Sequence, residues 1–584
     1  MSFEHGGAII GDRLAKHGVE FVFTLCGGHI SPILTGAKGR GIRIVDVRDE
    51  ANAVFAADAV ARMTGKVGVA AVTAGPGVTN TITAIKNAQM AQSPVLLIGG
   101  AAATVLKGRG SLQDIDQISL LEPITKWAVS CKTVAELGPT IDRALALAAD
   151  GVPGPVFVEV PIDLLYPEEL VRQWFMKESG VENAKGLSGR AMKLYLQGHL
   201  LRQFHAPHIP IGMPKVADTT ADELLAHVQL PEVLEAVRKA KRPVLIVGSQ
   251  ALVNFDPARA EKLAAAINDL GIPTFLGGMG RGLLGRTSDV QFRHARGKAL
   301  KEADLAIVAG FPFDFRLGYG RSFGKKTRVI SANLSAEDLR KNRKPDVGLL
   351  MHPGELILQL SAAHGGGGDW DGWFDTLRVR EQARDAEIAE QATEKTELVN
   401  SLHFLSRLEE KMSDDAVMVV DGGDFVATAA YIVRPRGPLS WLDPGVFGTL
   451  GVGGGFAVGA ALCRPDAEVW LIYGDGSSAY SLAEFDTCVR HGLAPIAVIG
   501  TDGAWAQIAR DQVEILNDSV ATTLLRSDYH KVAQGYGAEG ILVTKHSQID
   551  KALDKAKALS KAGRPVVINV HITGNEFRKG SISM

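Results

Sequence analysis

The fold of this chain is decided by the stretch from Val469 to Trp505, VWLIYGDGSSAYSLAEFDTCVRHGLAPIAVIGTDGAW. An apolar run of strand length, Val469 to Tyr473, leads into a Gly-Asp-Gly-Ser turn and a helical stretch, and a second apolar run follows at Ile496 to Ile499. Two strands joined by a helix form a βαβ unit, in which ligands bind at the carboxyl ends of the strands. Both strand ends carry a carboxylate, Asp475 and Asp502, so parallel pairing would bring the two side chains together.

This arrangement predicts a hard cation that holds a phosphate. Mg²⁺ prefers oxygen ligands from one or two carboxylates and completes its octahedron with phosphate oxygens. Gly474 and Gly476 let the backbone approach closely, and amides at the following helix N-terminus favour an anion. An ordinary βα turn is the plain alternative, because Asp-Gly is a common turn sequence. The second acidic strand end favours the ligand site.

The layout resembles the thiamine-diphosphate-binding motif of the acetolactate synthase and pyruvate decarboxylase superfamily, in which GDG, a helix and a polar strand end follow one another. The resemblance implies thiamine diphosphate and Mg²⁺ as cofactors. It implies three metal ligands, which are Asp475, Asp502 and the Ala504 carbonyl. It implies further cofactor contacts at Gly75, Gly77, Gly474, Gly476, Ser477 and Trp505. Gly423 and Asp424 are candidates of a weaker kind, because only their place at another strand end of the same domain points to them. One departure is Thr501-Asp502 where the family usually has Asn-Asn, and the added carboxylate still suits Mg²⁺.

Three more cofactor residues follow from the resemblance. The family places a glutamate beside the aminopyrimidine, which removes the proton from C2 of thiamine. Glu50, in VRDEANAVFAADAVAR, matches it, and the Gly75-Pro76-Gly77 turn on the next strand favours this role over that of a surface glutamate at a helix N-terminus. In GTLGVGGG, Leu450 would hold the cofactor bent and the Gly448 carbonyl would accept a hydrogen bond from the aminopyrimidine. A core leucine in a glycine-rich turn is the plain alternative.

Two residues, Gln113 and His29, belong to the predicted substrate side. Gln113 in SLQDID matches the substrate-side glutamine of the family, with a surface-loop glutamine as the alternative. His29 in LCGGHISP follows the first strand, where an imidazole would orient a hydroxyl or carbonyl and exchange protons near neutral pH. A capping or solvent-facing histidine is the alternative. Cys26 is expected in the core, because a buried free cysteine behaves as a small hydrophobe.

Composition places the chain among soluble enzymes. Its 584 residues predict about three or four domains. A formal charge of −2 gives no electrostatic case for nucleic acid or an anionic membrane. Four cysteines without a CxxC pair argue against a disulfide framework or a zinc site and fit the cytoplasm. The N-terminus has no signal-peptide core, and no apolar run reaches the roughly 18 residues that span a bilayer.

Strand-length apolar runs alternate with helical patterns along the chain, which predicts an α/β fold with three doubly wound parallel-sheet domains. In the first domain, strands are expected at Phe21–Leu25, Ile42–Val47, Val67–Thr73, Val95–Ile98 and Val156–Val160. One long charged helix is expected at Trp373–Asn400. The predicted parts are a pyrimidine-binding domain (1–180), a helical and proline-rich linker (181–225), a central domain with a CoA or nucleotide site (226–362), a linker and helix (363–400), a diphosphate and magnesium domain (401–570) and a tail or lid (571–584).

Longer strings narrow the resemblance to the acetolactate-synthase-like group that includes the 2-hydroxyacyl-CoA lyases. They include FTLCGGHISP, SLQDIDQISL, GPVFVEVPIDLLYP, DFRLGYGR and SLAEFDTCVRHGL. This group implies reversible cleavage of a 2-hydroxyacyl-CoA into formyl-CoA and an aldehyde or ketone. It also implies a homodimer or homotetramer with the active site between subunits. CoA phosphates need cations, and the candidates are Arg281, Arg316, Arg578 and Lys579, the last two in a tail that would close as a lid.

Other readings stay open at this point. Acetolactate synthase, with FAD in the central domain, is disfavoured by Cys26-Gly-Gly-His-Ile where synthases typically have Pro-Gly-Gly-Ala-Ser. Oxalyl-CoA decarboxylase is a chemical neighbour. A non-catalytic scaffold is disfavoured by the presence of Glu50 and both metal carboxylates. The amphipathic stretch Arg190 to Phe204 would pack on the body or lie on a membrane, and its helical spacing favours packing.

Overall fold

The computed structural model describes residues 5–181, 186–207, 220–574 and 577–578. Residues 1–61 and 66–216 form one compact unit, and residues 62–65 and 217–584 form a second. The first unit contains one six-stranded sheet and the second contains two. All strand pairs in these sheets are parallel. The predicted α/β class with three parallel sheets is confirmed.

The first unit is built on six strands that are rich in apolar residues. The strands are β1 (Phe21–Leu25), β2 (Arg43–Asp46), β3 (Gly68–Val72), β4 (Val95–Ala101), β5 (Trp127–Ser130) and β6 (Val156–Pro161). Their order in the sheet is β2-β1-β3-β4-β6-β5. Every residue of β3, β4 and β6 is buried, as expected for strands covered by helices on both faces. The helices are α1 (Gly6–Lys16), α2 (Ser31–Lys38), α3 (Glu50–Thr64), α4 (Pro76–Thr79), α5 (Ile82–Ala91), α6 (Gln117–Leu121), α7 (Val134–Ala149), α8 (Glu168–Glu178) and α9 (Leu187–His205).

The second unit begins with the central sheet. Its strands are β7 (Pro243–Val247), β8 (Thr274–Leu276), β9 (Gln291–Phe292), β10 (Leu305–Ala309), β11 (Arg328–Asn333) and β12 (Val347–Leu350). The order β12-β11-β10-β7-β8-β9 is that of a doubly wound sheet of the dinucleotide-binding type. The helices are α10 (Thr220–Lys239), α11 (Pro257–Leu270), α12 (Arg296–Glu302), α13 (Ala336–Arg340), α14 (Pro353–His364) and α15 (Asp371–Ala392).

The C-terminal sheet repeats the topology of the first unit. Its strands are β13 (Val417–Val420), β14 (Trp441–Leu442), β15 (Val469–Gly474), β16 (Ile496–Thr501), β17 (Glu539–Val543) and β18 (Val566–His571), in the order β14-β13-β15-β16-β18-β17. The helices are α16 (Ser401–Lys411), α17 (Asp424–Ile432), α18 (Val452–Cys463), α19 (Asp475–Ser481), α20 (Glu484–His491), α21 (Ala506–Leu516), α22 (Tyr529–Gly535) and α23 (Ile549–Lys561). In the sheet of the first unit the direction of winding reverses between β1 and β3, and in the C-terminal sheet it reverses between β13 and β15. Open α/β sheets bind ligands at such positions.

Three local predictions were wrong. The long helix expected at Trp373–Asn400 ends at Ala392, because the Asn400 side chain accepts a hydrogen bond from the Leu402 amide (2.9 Å) and caps a new helix, α16. The helical stretch after the GDG turn is two helices, α19 and α20. Cys26 is exposed, because it lies just beyond β1 at the edge of the sheet.

A helix that crosses a membrane must be both long and apolar. Among the described residues, no helix is both long enough and apolar enough to cross a bilayer.

Candidate functional site

The carboxyl ends of β15 and β16 lie side by side in the second unit. Gly474 at the end of β15 is in register with Gly500 of β16. The Asp475 side chain, only 2% exposed, joins the two strand ends. Its Oδ1 accepts a hydrogen bond from the Gly476 amide and its Oδ2 accepts one from the Gly503 amide, each at 2.8 Å. The parallel pairing predicted for this βαβ unit is therefore present, and Asp475 is held by the turn of each strand.

A second carboxylate stands beside the first. Burial, and then the charge of Asp475, raise the pKa of Asp502 to about 7. Burial also raises the pKa of Asp475. Two partly buried carboxylates that oppose each other's ionisation are stabilised by a cation placed between them. With the Ala504 carbonyl, which the resemblance adds, they would make an all-oxygen donor set of the kind that Mg²⁺ prefers.

The GDG turn is tightly packed from both sides. The Ser477 hydroxyl accepts a hydrogen bond from the Gly474 amide at 3.1 Å. A Cβ atom at Gly476 would lie 2.4 Å from the indole ring of Trp505, so no larger residue fits there. The Trp505 indole therefore packs against the GDG turn. Its predicted contact with the cofactor stays a prediction.

The end of β13 carries an acidic residue that the sequence analysis missed. Asp421 is 2% exposed and accepts hydrogen bonds from the amides of Gly451 (2.9 Å) and Gly453 (2.7 Å). A Cβ atom at Gly422 would lie 2.2 Å from Cδ2 of Leu450, so the leucine side chain rests directly on this glycine. Asp421 thus fixes the glycine-rich turn that presents Leu450. The available signal was an acidic residue directly after an apolar strand, as at Asp475.

The burial of Asp421 predicts a pH dependence. Burial raises the pKa of this carboxyl to about 7, against 3.8 in the unfolded chain. The folded state therefore binds the proton more tightly, so its contribution to stability is complete below about pH 4 and is lost as the pH rises through about 7. The melting temperature of the wild type should therefore fall between about pH 4 and pH 7. We expect this fall to be smaller in Asp421→Asn, because asparagine does not ionise. An unchanged pH profile in differential scanning calorimetry would contradict this.

A small cavity adjoins Asp502. Asp424 follows Gly423, whose φ is +114°, and pairs with the Arg510 guanidinium at 2.6 Å. Both side chains line a cavity of about 250 Å³ together with Asp502 and Ala504. Asp424, predicted to bind cofactor, is therefore already neutralised by a cation. No pattern in the sequence pointed to Arg510, which lies 86 residues from its partner.

A second group of predicted residues gathers in the first unit, at the ends of β1 and β3. Glu50 is the first residue of α3 and is 7% exposed, so the alternative of a surface glutamate is wrong. Its Oε2 accepts a hydrogen bond from Nδ2 of Asn80 at 3.0 Å. A Cβ atom at Gly77 would lie 3.6 Å from Oε1 of Glu50. Asn80, which ends the helix opened by Pro76, is a further residue that the sequence analysis missed.

His29 and Gln113 lie together in the same unit. His29 Nδ1 is 3.3 Å from the Thr73 hydroxyl oxygen. Burial lowers the pKa of His29, and a hydrogen bond with the Gln113 side chain partly opposes this. Gln113 adopts the left-handed φ of +63°, and its backbone covers Gly75, where a Cβ atom would lie 2.9 Å from the Gln113 carbonyl oxygen. Because the two side chains are hydrogen-bonded to each other, the structure does not match the alternatives of a capping histidine and a surface-loop glutamine.

The loop that carries Gln113 is anchored on both sides. On one side Lys107 forms an ion pair with Glu159, which is completely buried in β6. On the other side Gln117 donates to Glu159 (2.8 Å) and accepts from the Gly75 amide (2.8 Å). Glu159 therefore ties both ends of the loop to the sheet. No pattern in the sequence pointed to Lys107 or Glu159.

Loss of the Lys107 anchor is expected to weaken the first unit. We expect Lys107→Met to lower the free energy of unfolding by about 1–3 kcal/mol, because a buried carboxylate loses its counter-ion. Denaturant titration gives the measurement. Lys66→Met is the matched control, since Lys66 pairs with the exposed Glu20 and should matter by less than about 1 kcal/mol. Equal losses in the two variants would contradict the anchoring role.

The second unit also contains a larger cavity, of about 620 Å³, whose lining includes four arginines, a histidine, and three phenylalanine or tyrosine rings. The arginines are Arg281, Arg293, Arg296 and Arg384, and the rings are Phe275, Phe292 and Tyr431. Burial lowers the pKa of both Arg281 and Arg296, and the charge of Arg281 lowers that of Arg296 further. Each donates to a backbone carbonyl, Arg281 to that of Ala430 and Arg296 to that of Arg316. Arg293 and Arg384 pair with carboxylates, Arg293 with Asp385 at 3.0 Å and Arg384 with Glu387 at 2.6 Å. The guanidinium groups of Arg281 and Arg296 therefore give this cavity its capacity to bind an anion.

The other predicted CoA contacts are less favourably placed. Arg316 pairs with Asp314 at 2.6 Å and stacks on Phe311. Arg578 accepts a hydrogen bond at its carbonyl from Arg510 (3.3 Å). Lys579 lies outside the described residues. Next to Arg578, the Phe577 ring contacts two residues that line the large cavity, with its centre 4.8 Å from the Arg384 guanidinium and 5.7 Å from the Tyr431 ring.

The predicted cofactor residues fall into two groups, one in each unit. The first unit holds Glu50, Gly75 and Gly77. The second unit holds Gly423, Asp424, Gly448, Leu450, Gly474, Asp475, Gly476, Ser477, Asp502, Ala504 and Trp505. Each group lies at the carboxyl edge of its own sheet, at the position where the winding reverses.

Sequence comparisons agree with these observations. Models of the thiamine pyrophosphate enzyme family match at three places: its N-terminal TPP binding domain at residues 4–120, its central domain at 230–360 and its C-terminal TPP binding domain at 421–570. The chain is 49% identical to 2-hydroxyacyl-CoA lyase 2 of Danio rerio, over 100% of its own length and 94% of the relative. It is 46% identical to 2-hydroxyacyl-CoA lyase 2 of Homo sapiens, over 100% and 92%. It is 34% identical to a probable acetolactate synthase of Mycobacterium bovis, over 97% and 95%.

Proposed function

The chain belongs to the thiamine pyrophosphate enzyme family, and from this membership we propose that it is a 2-hydroxyacyl-CoA lyase. The reaction breaks the bond between C1 and C2 of a 2-hydroxyacyl-CoA and releases formyl-CoA and an aldehyde or ketone. The observation that carries this proposal is the likeness to the lyases over the whole chain, at 46–49% identity against 34% for the synthase. Condensation of two 2-oxoacids is the competing activity.

The residues at the C-terminal sheet fit the cofactor. Asp475, Asp502 and the Ala504 carbonyl would hold Mg²⁺, and the backbone at Gly476 and Ser477 would hold the diphosphate. Gly448 and Leu450 would receive the thiamine rings, on the turn that Asp421 fixes. When bound, thiamine diphosphate supplies an electron sink for cleavage of a bond next to a carbonyl.

The first unit supplies the proton-handling groups. Glu50, held by Asn80 in a buried position, would exchange a proton with N1′ of the aminopyrimidine. Burial lowers the pKa of His29, so its imidazole is neutral near pH 7 and able to accept the proton of the C2 hydroxyl as the C1–C2 bond breaks. Gln113, which hydrogen-bonds His29, would orient the same oxygen. Glu50, His29 and Gln113 would therefore have separate roles in the reaction.

The arginine-lined cavity supports an acyl-CoA substrate. CoA carries phosphates joined to a long, largely uncharged arm, and this cavity places guanidinium groups next to aromatic rings. Arg281 is the best placed of the predicted contacts, and Arg296, which the sequence analysis missed, lines the same cavity. Phe577 lies against two lining residues, so the tail would close over bound CoA.

Loss of Arg281 is expected to weaken CoA recognition selectively. We expect Arg281→Gln to raise KM for a 2-hydroxyacyl-CoA by about tenfold or more, since one charge-assisted contact is removed. The variant should turn over a pantetheine thioester, which lacks the nucleotide phosphates, as the wild type does. Arg378→Gln serves as control, because Arg378 lies outside this cavity on α15. An equal change of KM for both substrates would contradict phosphate recognition by Arg281.

The assembly belongs to the same proposal. The two groups of cofactor residues would come from two copies of the chain, in a homodimer or homotetramer with its active sites between subunits. Mixing two inactive variants, Glu50→Gln and Asp475→Asn, tests this. Because each copy would contribute an intact half-site, partial recovery of activity is expected. No recovery in mixed oligomers, verified by tagged pull-down, would contradict it.

The decisive experiment is a paired assay on protein loaded with Mg²⁺ and thiamine diphosphate. One sample receives formyl-CoA and an aldehyde, and the other receives pyruvate alone, with products identified by mass spectrometry. A 2-hydroxyacyl-CoA without acetolactate is the expected result. Acetolactate alone would overturn the lyase assignment in favour of a synthase, and CO₂ release from oxalyl-CoA would indicate a decarboxylase.

A further inference from the structure

Helix α9 has two apolar faces and buries only one of them. On the inner face, Leu196 and Leu200 pack into a cluster with α8 and are at most 5% exposed. On the outer face three leucines recur every seven residues: Leu187 is 87% exposed, Leu194 72% and Leu201 56%. Seven residues are about two helical turns, so these side chains form one row. Exposed apolar side chains aligned on one face of a helix are a feature of interaction surfaces.

Polar contacts hold the inner face in place. Gln203 donates to Asp163 at 2.7 Å, and both side chains are at most 2% exposed. The His199 Nε2 atom lies 2.7 Å from the Thr104 hydroxyl, which itself donates to Asp163 at 2.6 Å. Since this network ties the helix to the body, the outer leucines cannot turn inward by rotation of α9.

The charge of α9 indicates what the outer row contacts. The helix from Leu187 to His205 contains Arg190, Lys193 and Arg202 and no acidic residue. On a helical wheel Arg190 and Arg202 flank the leucine row on opposite sides. A coiled-coil contact between two copies would need complementary charges at these flanking positions, and two copies of α9 would bring only cations together. The charge therefore favours an anionic partner.

We propose that the outer face of α9 binds an anionic lipid surface. The helix lies in the plane of the interface, with Leu187, Leu194 and Leu201 inserted among the acyl chains. Arg190 and Arg202 extend their charged ends to the headgroups. Tyr195, half exposed beside the row, occupies the headgroup level, where aromatic residues are enriched. This binding is peripheral and does not depend on the chemistry proposed for the cofactor site.

Vesicle flotation of the full-length, cofactor-loaded protein tests the proposal. Vesicles of phosphatidylcholine mixed with phosphatidylglycerol should bind the protein, and added salt or pure phosphatidylcholine should reduce binding. Leu194→Glu and the pair Arg190→Gln with Arg202→Gln should each weaken binding by roughly tenfold. Val379→Glu is the matched control, since Val379 is 66% exposed on a different helix, α15. It should leave binding unchanged.

A second measurement reports on the contact itself. The emission of a tryptophan introduced by Tyr195→Trp should shift to shorter wavelength when anionic vesicles are added. Three results would overturn the proposal: no wavelength shift, equal binding by Leu194→Glu and the wild type, or self-association that Leu194→Glu abolishes without any vesicle binding. The last result would assign the leucine row to a second copy of the chain. Retained lyase activity in Leu194→Glu would show that the variant is folded.

Discussion

Replacement of Glu50 by glutamine is expected to lower turnover of a 2-hydroxyacyl-CoA by about 10²–10⁴-fold, the range typical of a lost general acid–base group. Glutamine keeps the shape of the side chain and can still contact Asn80, but it has no ionisable proton to exchange with the aminopyrimidine. Glu50 is 7% exposed and therefore cannot be replaced in this role by bulk water without rearrangement. Steady-state kinetics with saturating cofactor provide the measurement.

Cofactor affinity separates a chemical role from a structural one. Thiamine diphosphate should bind the Glu50→Gln variant with little change, as followed by quenching of tryptophan fluorescence. Glu20→Gln is the control, because Glu20 is an exposed glutamate of the same unit. Wild-type turnover in Glu50→Gln would show that this residue is not the activator. A parallel loss of cofactor binding would mean that the substitution disturbs the fold.

Replacement of Asp475 by asparagine is expected to weaken binding of thiamine diphosphate in the presence of Mg²⁺ by about 3 kcal/mol, roughly a hundredfold in Kd. Asp475 is 2% exposed, and both of its carboxylate oxygens accept backbone amides. Asparagine offers one oxygen, and its amide group would face an N–H donor. The variant therefore loses a metal ligand and strains the turn. Titration of cofactor into metal-loaded and chelator-treated protein measures the effect.

Asp502→Asn is the informative comparison. Asparagine at this position keeps an oxygen ligand and removes one of two neighbouring negative charges, and it matches the usual residue of the resembling motif. Its cofactor Kd is expected to rise by no more than about tenfold. Equal losses in the two variants would indicate that total charge, and not the geometry of Asp475, governs metal binding.

The GDG stretch shows how far local patterns reach. Apolar runs of strand length, glycine-containing turns and a helix between them predicted β15, β16 and the meeting of their carboxyl ends, because alternation of strands and helices allows few arrangements other than a parallel sheet. The same reasoning placed Glu50 at the first turn of α3 and Gly75 after β3. It did not predict the end of α15, which depends on one asparagine cap.

The residues that the sequence analysis missed share one property. Asp421 meets a glycine turn 30 residues away, Arg510 meets Asp424 across 86 residues, and Lys107 meets Glu159 across 52. None of these pairs has a spacing that a helix or strand period would produce. Each partner taken singly is an ordinary charged residue, and the pair exists only because two sheet edges or a loop and a strand are packed together.

Helix α9 shows the same division. Its sequence predicted an amphipathic helix, and the packing of Leu196 and Leu200 confirms the inner face. Which apolar residues remained outside was decided by the contacts of Gln203 and His199 with the first unit. Short-range periodicity sets secondary structure and strand order, since both depend on near neighbours along the chain. Partners distant in sequence, and the face a helix leaves exposed, depend on long-range packing, which no local pattern encodes.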